Sequence, residues 1–430
     1  MKMNKLNRYV VVAVLMWLSI FSKASAQNTF TDSLSYYIQV AIENNPGLKS
    51  QKYIHAAFLE KIPQAGAYQD PELSMEAYTM PMEVVGGRSI GNISLMQVFP
   101  WFGTRKAART EATHMANVQD KQYQEVLNSL ILQVSTKWYL LQKLSEQLKN
   151  NQENKVLLEQ LEQLAIRKFS APSGGSEASM SETLRIQMGV AEIENNIESL
   201  HAQIEAEKAE FNALLNRKAS EEVMVGKEIR KLNFLYSEKE ALRIIQMNNP
   251  VLGMITEEGL AYKAKAEADR KMSYPMIGIG VEYMVLGKTN NAMLAMDGMN
   301  GNDMVMPMVS LSLPLFRKKY NAQQNESRLW RKSSEESFKN TLNTLESEFY
   351  SFKSQLDDAE RTIELYEKQT TLAQTTYNLI VKEFISGKSD LTNVIEVQRQ
   401  LLDYQLKRAE ALTNYNTLVV SIKKLLADNR

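Results

Sequence analysis

With 50 Lys and Arg against 50 Asp and Glu in 430 residues, the chain carries no net charge, and its overall balance gives no electrostatic case for nucleic acid or an acidic membrane surface. It contains no cysteine, which excludes disulfides, thiolate metal sites and an acylated cysteine. No phosphate-cradling Gly loop, nucleophile elbow or His-Glu metal spacing occurs, and His55, His114 and His201 are scattered along helical stretches, so neither an enzyme nor a resident cofactor is expected.

Lys2, Lys5 and Arg8 precede an apolar run from Val10 to Phe21, and Ala24-Ser25-Ala26 supplies small residues at cleavage positions. Residues 1–26 therefore read as an export signal. Its apolar run is about a dozen residues, too short to cross a bilayer of about 30 Å as a helix.

Beyond the leader, the chain states one pattern twice. Asn44-Asn45-Pro46 recurs as Asn248-Asn249-Pro250 and Pro71 as Pro275, both 204 residues apart (248 − 44 and 275 − 71). The expected organisation is two structural repeats, 27–225 and 226–430, each burying its apolar stripe against a neighbour. The first predicts a helix over 34–68, strands over 72–82 and 92–99, a helix over 104–169, a break at Ser170 to Gly175 and a helix over 177–216. The second predicts a helix over 237–272, strands over 276–286 and 305–313, a helix over 318–384, a break at Ile385 to Lys388 and a helix over 390–428.

A helix of about 66 residues extends to roughly 100 Å, beyond a compact globular domain. Leu127, Leu130, Ile131, Val134, Trp138, Leu141, Leu144 and Leu148 recur at three- and four-residue steps, continued by Leu157, Leu158, Leu161 and Leu164. The matching stripe of the second repeat is Leu342, Leu345, Phe349, Phe352, Leu356, Ile363, Leu365 and Leu372. Such narrow seams predict coiled-coil hairpins. A solvated rod is the competing reading of the helices alone. The strands oppose it: Leu73, Met75, Ala77 and Thr79, and again Ile277, Ile279, Val281 and Tyr283, alternate with a second face, at the length of a tilted membrane-spanning strand. Four strands cannot close a barrel, and two edges with unpaired backbone groups cannot face lipid. Three chains would supply twelve strands.

In its paired Asn-Asn-Pro turns, its motif Phe99-Pro100-Trp101-Phe102-Gly103-Thr104-Arg105 with the counterpart Leu313-Pro314-Leu315-Phe316-Arg317-Lys318-Lys319, and its two Gly-containing helix breaks, the chain resembles the TolC family of outer-membrane efflux ducts. The resemblance covers essentially all of it after the leader, and the layout is similar to the heavy-metal branch that works with resistance-nodulation-division pumps. It implies a mainly α protein with a transmembrane β-barrel: a homotrimer forming a 12-stranded barrel in the outer membrane of a Gram-negative bacterium and an α-helical tunnel in the periplasm. The implied partners are a periplasmic adaptor, an inner-membrane pump and outer-membrane lipid, with no nucleic acid. Pro71, Pro100, Pro275 and Pro314 would then mark the junction of barrel and tunnel, where proline ends a helix at the preceding residue.

The resemblance places the adaptor-docking tips at the helix breaks: Gly174, Gly175 and Ser176 in the first repeat, and Gly387, Lys388 and Ser389 in the second. The second tip resembles the family pattern of a Gly followed by two acidic positions three residues apart, which fall on Asn393 and Glu396. The first is an amide here, so the acidic pair is half present. Three Glu396 side chains on an axis would repel one another and attract cations, making a charged constriction; Glu182 occupies the comparable stretch of the first repeat. The competing reading is that these acids merely suit a helix start. The first tip departs from the family's short Val-Gly-Leu type turn.

Cargo is hinted at by methionine alone. Nine methionines lie between Met272 and Met308, Met293, Met296, Met299, Met304, Met306 and Met308 among them, and Met80-Pro81-Met82 echoes Met306-Pro307-Met308. Thioether sulfur suits Cu(I) or Ag(I); the alternative is that flexible methionines fill irregular apolar contacts. A passive efflux duct is the leading expectation, for heavy-metal ions, with multidrug efflux or type I secretion as the alternative cargo and a periplasmic coiled-coil scaffold as the reading outside transport.

Overall fold

The computed structural model describes residues 34–169, 176–226, 228–295 and 297–428. The leader, Gly174, Gly175 and Met296 lie outside these residues. In chain order the elements are α1 (Leu34–Asn44), α2 (Pro46–Ala65), β1 (Glu72–Val84), β2 (Gly87–Phe99), α3 (Thr104–Phe169), α4 (Ser176–Leu214), α5 (Glu238–Asn248), α6 (Pro250–Met272), β3 (Met276–Gly287), β4 (Met304–Ser312), α7 (Arg317–Ile385) and α8 (Leu391–Leu426). They fold into two compact units, each drawing on both repeats: a helical unit of residues up to Lys49, Val126–Met247 and Leu345–Arg430, and a sheet unit of Ser50–Glu125 and Asn248–Thr344.

Each Asn-Asn-Pro sequence splits a helix that the periodicity carries through, so the expected helices over 34–68 and 237–272 are each two helices. The reason is local. Proline excludes the preceding residue from helical geometry, and Asn249 accordingly sits at φ −61° and ψ 123°. Its side chain accepts from the Val251 N–H at 3.0 Å; Asn45 accepts from Leu48 N–H, also at 3.0 Å. Each asparagine thus satisfies a donor that the new helix leaves open, while Pro46 and Pro250 open those helices where a missing N–H costs nothing.

In the helical unit, α7 is 69 residues long in all and ends on a Schellman motif: Lys388 N–H reaches Glu383 O at 2.8 Å and Gly387 N–H reaches Phe384 O at 3.1 Å. Gly387 adopts φ 78°, a conformation that costs any side chain a Cβ clash. From Leu345 onward its seam runs in three- and four-residue steps through Phe349, Phe352, Leu356, Ala359, Ile363, Tyr366, Thr370, Ala373, Tyr377, Ile380 and Phe384. Leu365 and Leu372, expected in that seam, are 50% and 57% exposed. Continuous three-four spacing assigns Tyr366 and Ala373 to the seam instead, so position outranks side-chain hydrophobicity. Near the end of the hairpins, Leu158, Leu161, Ile186, Phe384, Leu391 and Val394 from α3, α4, α7 and α8 close one core. At the other end of the unit, the Tyr37, Trp138 and Phe211 rings cluster at 5.2 to 6.3 Å.

The sheet unit carries one antiparallel sheet in the order β1-β2-β3-β4. Its β2 strand starts at Gly87, five residues before the expected 92, because Gly86 and Gly87 both hold positive φ and turn the hairpin there. At Gly87 an added Cβ would press on the Gly287 carbonyl oxygen, so glycine is required.

Candidate functional site

The register gives the sheet two chemically distinct faces. Leu73, Leu95 and Val281 lie in one row across β1, β2 and β3, and Met75, Ile93, Tyr283 and Val305 in another across all four strands. With Ile277, Ile279, Val309 and Leu311 they make one face almost wholly apolar. The opposite face aligns Ser74, Ser94, Glu282 and Met306, then Glu76, Asn92, Met284 and Met304. Asn92 donates to the Glu282 carboxylate there. Val305, Val309 and Leu311 are 64%, 78% and 57% exposed, so no described residue of the chain covers that part of the apolar face. The edges β1 and β4 pair with no strand among the described residues.

The four prolines stand at strand ends: Pro71 just before β1, Pro100 just after β2, Pro275 just before β3, and Pro314 two residues past β4. Beside them are two arginines that residue patterning did not single out. Arg105, at the start of α3, donates from Nε to Gly66 O at 2.8 Å and lies 3.3 Å over the Tyr68 ring. Arg317, at the start of α7, donates to Ser273 O at 3.0 Å. Each long helix is thus tied at its first turn to the carbonyl that ends the helix before the hairpin. The signal was present in the paired Pro100 and Pro314 motifs, both of which contain an arginine, although at different offsets. Aromatic rings surround this junction: Tyr68 meets Phe99 edge-on at 5.5 Å, and Trp101 stacks on Tyr274 at 5.2 Å.

On α8, Asn393 and Glu396 are both exposed and one turn apart, while Leu391, Val394 and Gln398 turn inward. Asn393 donates to the Ser389 hydroxyl at 3.4 Å. Glu396 lines an 800 Å³ groove between α4 and α8 with Arg185, Glu192, Arg399 and Asp403, and Arg399 bridges to Glu192 at 3.1 Å. Glu182 lies on α4 and is half-buried; it does not line that groove. Gly387, Lys388 and Ser389 form the turn between α7 and α8, and Ser176 opens α4. One polar layer escaped the periodicity argument: Gln398, 1% exposed, donates to Asn154 Oδ1 at 2.8 Å, and Asn154 donates in turn to Asn150 O. Close by, the hydrogen bond with Glu194 holds the Lys155 ammonium above its usual pKa.

The methionines divide. Met80 and Met82 lie on β1, where the pairing with β2 shifts register, and are 83% and 71% exposed. Met293 and Met299 lie in the loop between β3 and β4, which Asn300 and Thr289 hold together by two 2.9 Å hydrogen bonds. Met304, Met306 and Met308 belong to β4 and share the face of Glu282. Among the described residues, no group of His, Asp and Glu has the arrangement of a metal centre, and no helix is long and apolar enough to cross a membrane.

The described residues thus comprise hairpins of very long helices and one four-stranded antiparallel sheet. Residues 242–428 match the family described as Outer membrane efflux protein. Among solved structures, the chain is similar to the outer-membrane channel OprN (TM-score 0.72, 14% identity, 92% of this chain and 90% of that one). It is also similar to the outer membrane protein VceC of Vibrio cholerae (0.72, 14%, 92% and 96%), and to CusC (0.73, 14%, 94% and 95%). No curated protein matches it in sequence.

Proposed function

We propose that the chain is one protomer of a homotrimeric exit duct in the outer membrane of a Gram-negative bacterium. The observation that carries this reading is the sheet with one apolar face, one polar face and two unpaired edges, which is stable in lipid only when other copies close it. Three copies give a 12-stranded barrel with Glu76, Glu282 and Met306 toward the lumen, and the long hairpins give the periplasmic tunnel. The matches to outer-membrane efflux proteins and channels support the same reading. Transport energy comes from an inner-membrane pump through a periplasmic adaptor, which docks on the tips at Gly387, Lys388 and Ser389 and, in the first repeat, Gly174, Gly175 and Ser176. Glu396 and Glu182 supply the charge of the constriction, and Asn393 lines it as a neutral amide.

The cargo we infer is a soft cation such as Cu(I) or Ag(I), handed to a resistance-nodulation-division pump. Met304, Met306 and Met308 support it, because alternate residues of β4 place three thioethers on the polar face beside Glu282. Multidrug efflux is the second reading, on which those methionines are apolar packing.

Since the chain has no cysteine, single cysteines placed along β1 and β4 test closure directly. Oxidation of the detergent-extracted protein is expected to join β1 of one copy to β4 of another and to yield covalent trimers. A protein found in the soluble periplasmic fraction as a monomer overturns the duct. For the cargo, deletion is expected to sensitise cells to copper or silver, and the Met306→Leu/Met308→Leu protein to restore tolerance incompletely; lost drug tolerance with unchanged metal tolerance favours the second reading.

A further inference from the structure

We propose that the junction of sheet and helices in the sheet unit holds a site for one anionic phospholipid, its headgroup on the first turn of α3 and an acyl chain on the apolar face of β3. This rests on the outer-membrane reading above. A 590 Å³ cavity opens there, within the range of ligand pockets of about 300–1,000 Å³. Its walls are of two kinds. Arg105, Lys106 and Arg109 supply three cationic side chains, and no Asp or Glu lines it. The rest of the wall carries no charge and includes Phe99, Ile277 and Ile279, which belong to the apolar face of the sheet.

In a chain of zero net charge, three cations without an acid form a local excess of the kind that attracts anionic lipid. The cations divide the task. Arg105 is committed to Gly66 O and the Tyr68 ring, whereas Lys106 and Arg109 are exposed and belong to no ion pair among the described residues. Lys271 stands behind Gly103, where an added Cβ would meet its ammonium, but it is paired with Glu267 at 3.4 Å and does not line the cavity. Phe102, 81% exposed, and Trp101, which stacks on Tyr274, also line the cavity, as aromatic rings do at the level of lipid headgroups. Continuity with the apolar strand face identifies the ligand as a lipid, because a free phosphate would leave Phe99, Ile277 and Ile279 without a role.

Native mass spectrometry of the full-length trimer, titrated with phosphatidylglycerol or phosphatidylethanolamine, tests the site. Phosphatidylglycerol adducts are expected to dominate on the wild type. The Lys106→Gln/Arg109→Gln variant is expected to lose about thirtyfold in that affinity, two surface charges' worth, with the trimer intact. Equal retention of both lipids, unaltered by the variant, overturns the proposal, and so does inorganic phosphate that displaces the lipid at equal concentration. A photoreactive benzoylphenylalanine replacing Phe102 covers the case in which the double variant fails to assemble. A lipid adduct at that position supports the site; a crosslink to a second copy of the chain overturns it. A detergent-stable outer-membrane trimer without phosphatidylglycerol preference defeats only this proposal, whereas a soluble monomer defeats the duct itself.

Discussion

Arg105 and Arg317 connect sequence to stability through single carbonyls. A hydrogen bond from a charged donor contributes about 1.5–3 kcal/mol, and a cation over an aromatic ring about 0.5–1 more. Arg105→Ala is therefore expected to destabilise by about 3 kcal/mol and Arg317→Ala by about 2 kcal/mol, read as a lower dissociation temperature of the extracted assembly. Equal melting of both variants and the wild type removes the ties from the account. Glu111 makes a different case. Burial, opposed by Lys265 and reinforced by Asp269, holds its carboxyl above the ordinary carboxylate pKa. The folded state thus favours the protonated form, and stability falls as pH rises through that raised value. Glu111→Gln, neutral at every pH, is expected to melt higher than the wild type at pH 7 and alongside it below about pH 4, where the native carboxyl is also neutral. A pH-independent difference contradicts the burial argument.

The strands test their two faces by contrast. Val281 lies on the apolar face and Glu282 on the polar one. Val281→Arg puts a charge against lipid at a cost of about 2–4 kcal/mol near the bilayer midplane, and is expected to abolish heat-resistant assembly. Glu282→Arg is expected to assemble and to shift ion selectivity toward anions in planar-bilayer recordings. Matching losses from the two would show that the faces are not lipid and lumen. Among the helices, α7 shows how far a periodic reading reaches. Leu345 to Ile363 could be placed in the seam from spacing alone. Leu365 and Leu372 misled it because leucine is the usual seam residue, yet an unbroken three-four rhythm places Tyr366 and Ala373 there. The capped breaks at Asn45 and Asn249 were visible as Asn-Pro and were overrun only because apolar periodicity continues across them.

For the assembled protein, the exposed Asn393 and Glu396 are one turn apart on α8, so copies meeting at these tips would bring carboxylates together. Glu396→Ala is expected to reduce the block of single-channel current by divalent cations, and an unchanged block would remove Glu396 from the constriction. The four strands and the long helices were legible in order and approximate bounds, since proline, glycine and period-two or heptad patterning are local signals. The buried Asn154–Gln398 contact joins residues 244 apart, and no local pattern announces such a pairing. The same holds for Arg105 reaching back 39 residues to Gly66. Composition and periodicity were enough to specify the order of strands and long helices and which strand residues share an apolar face, because those properties depend on neighbours along the chain. Folding alone settled which strand rows align Glu282 with Met306 and how three cations come to share a cavity with Ile277 and Ile279, because register and long-range packing depend on residues far apart in sequence.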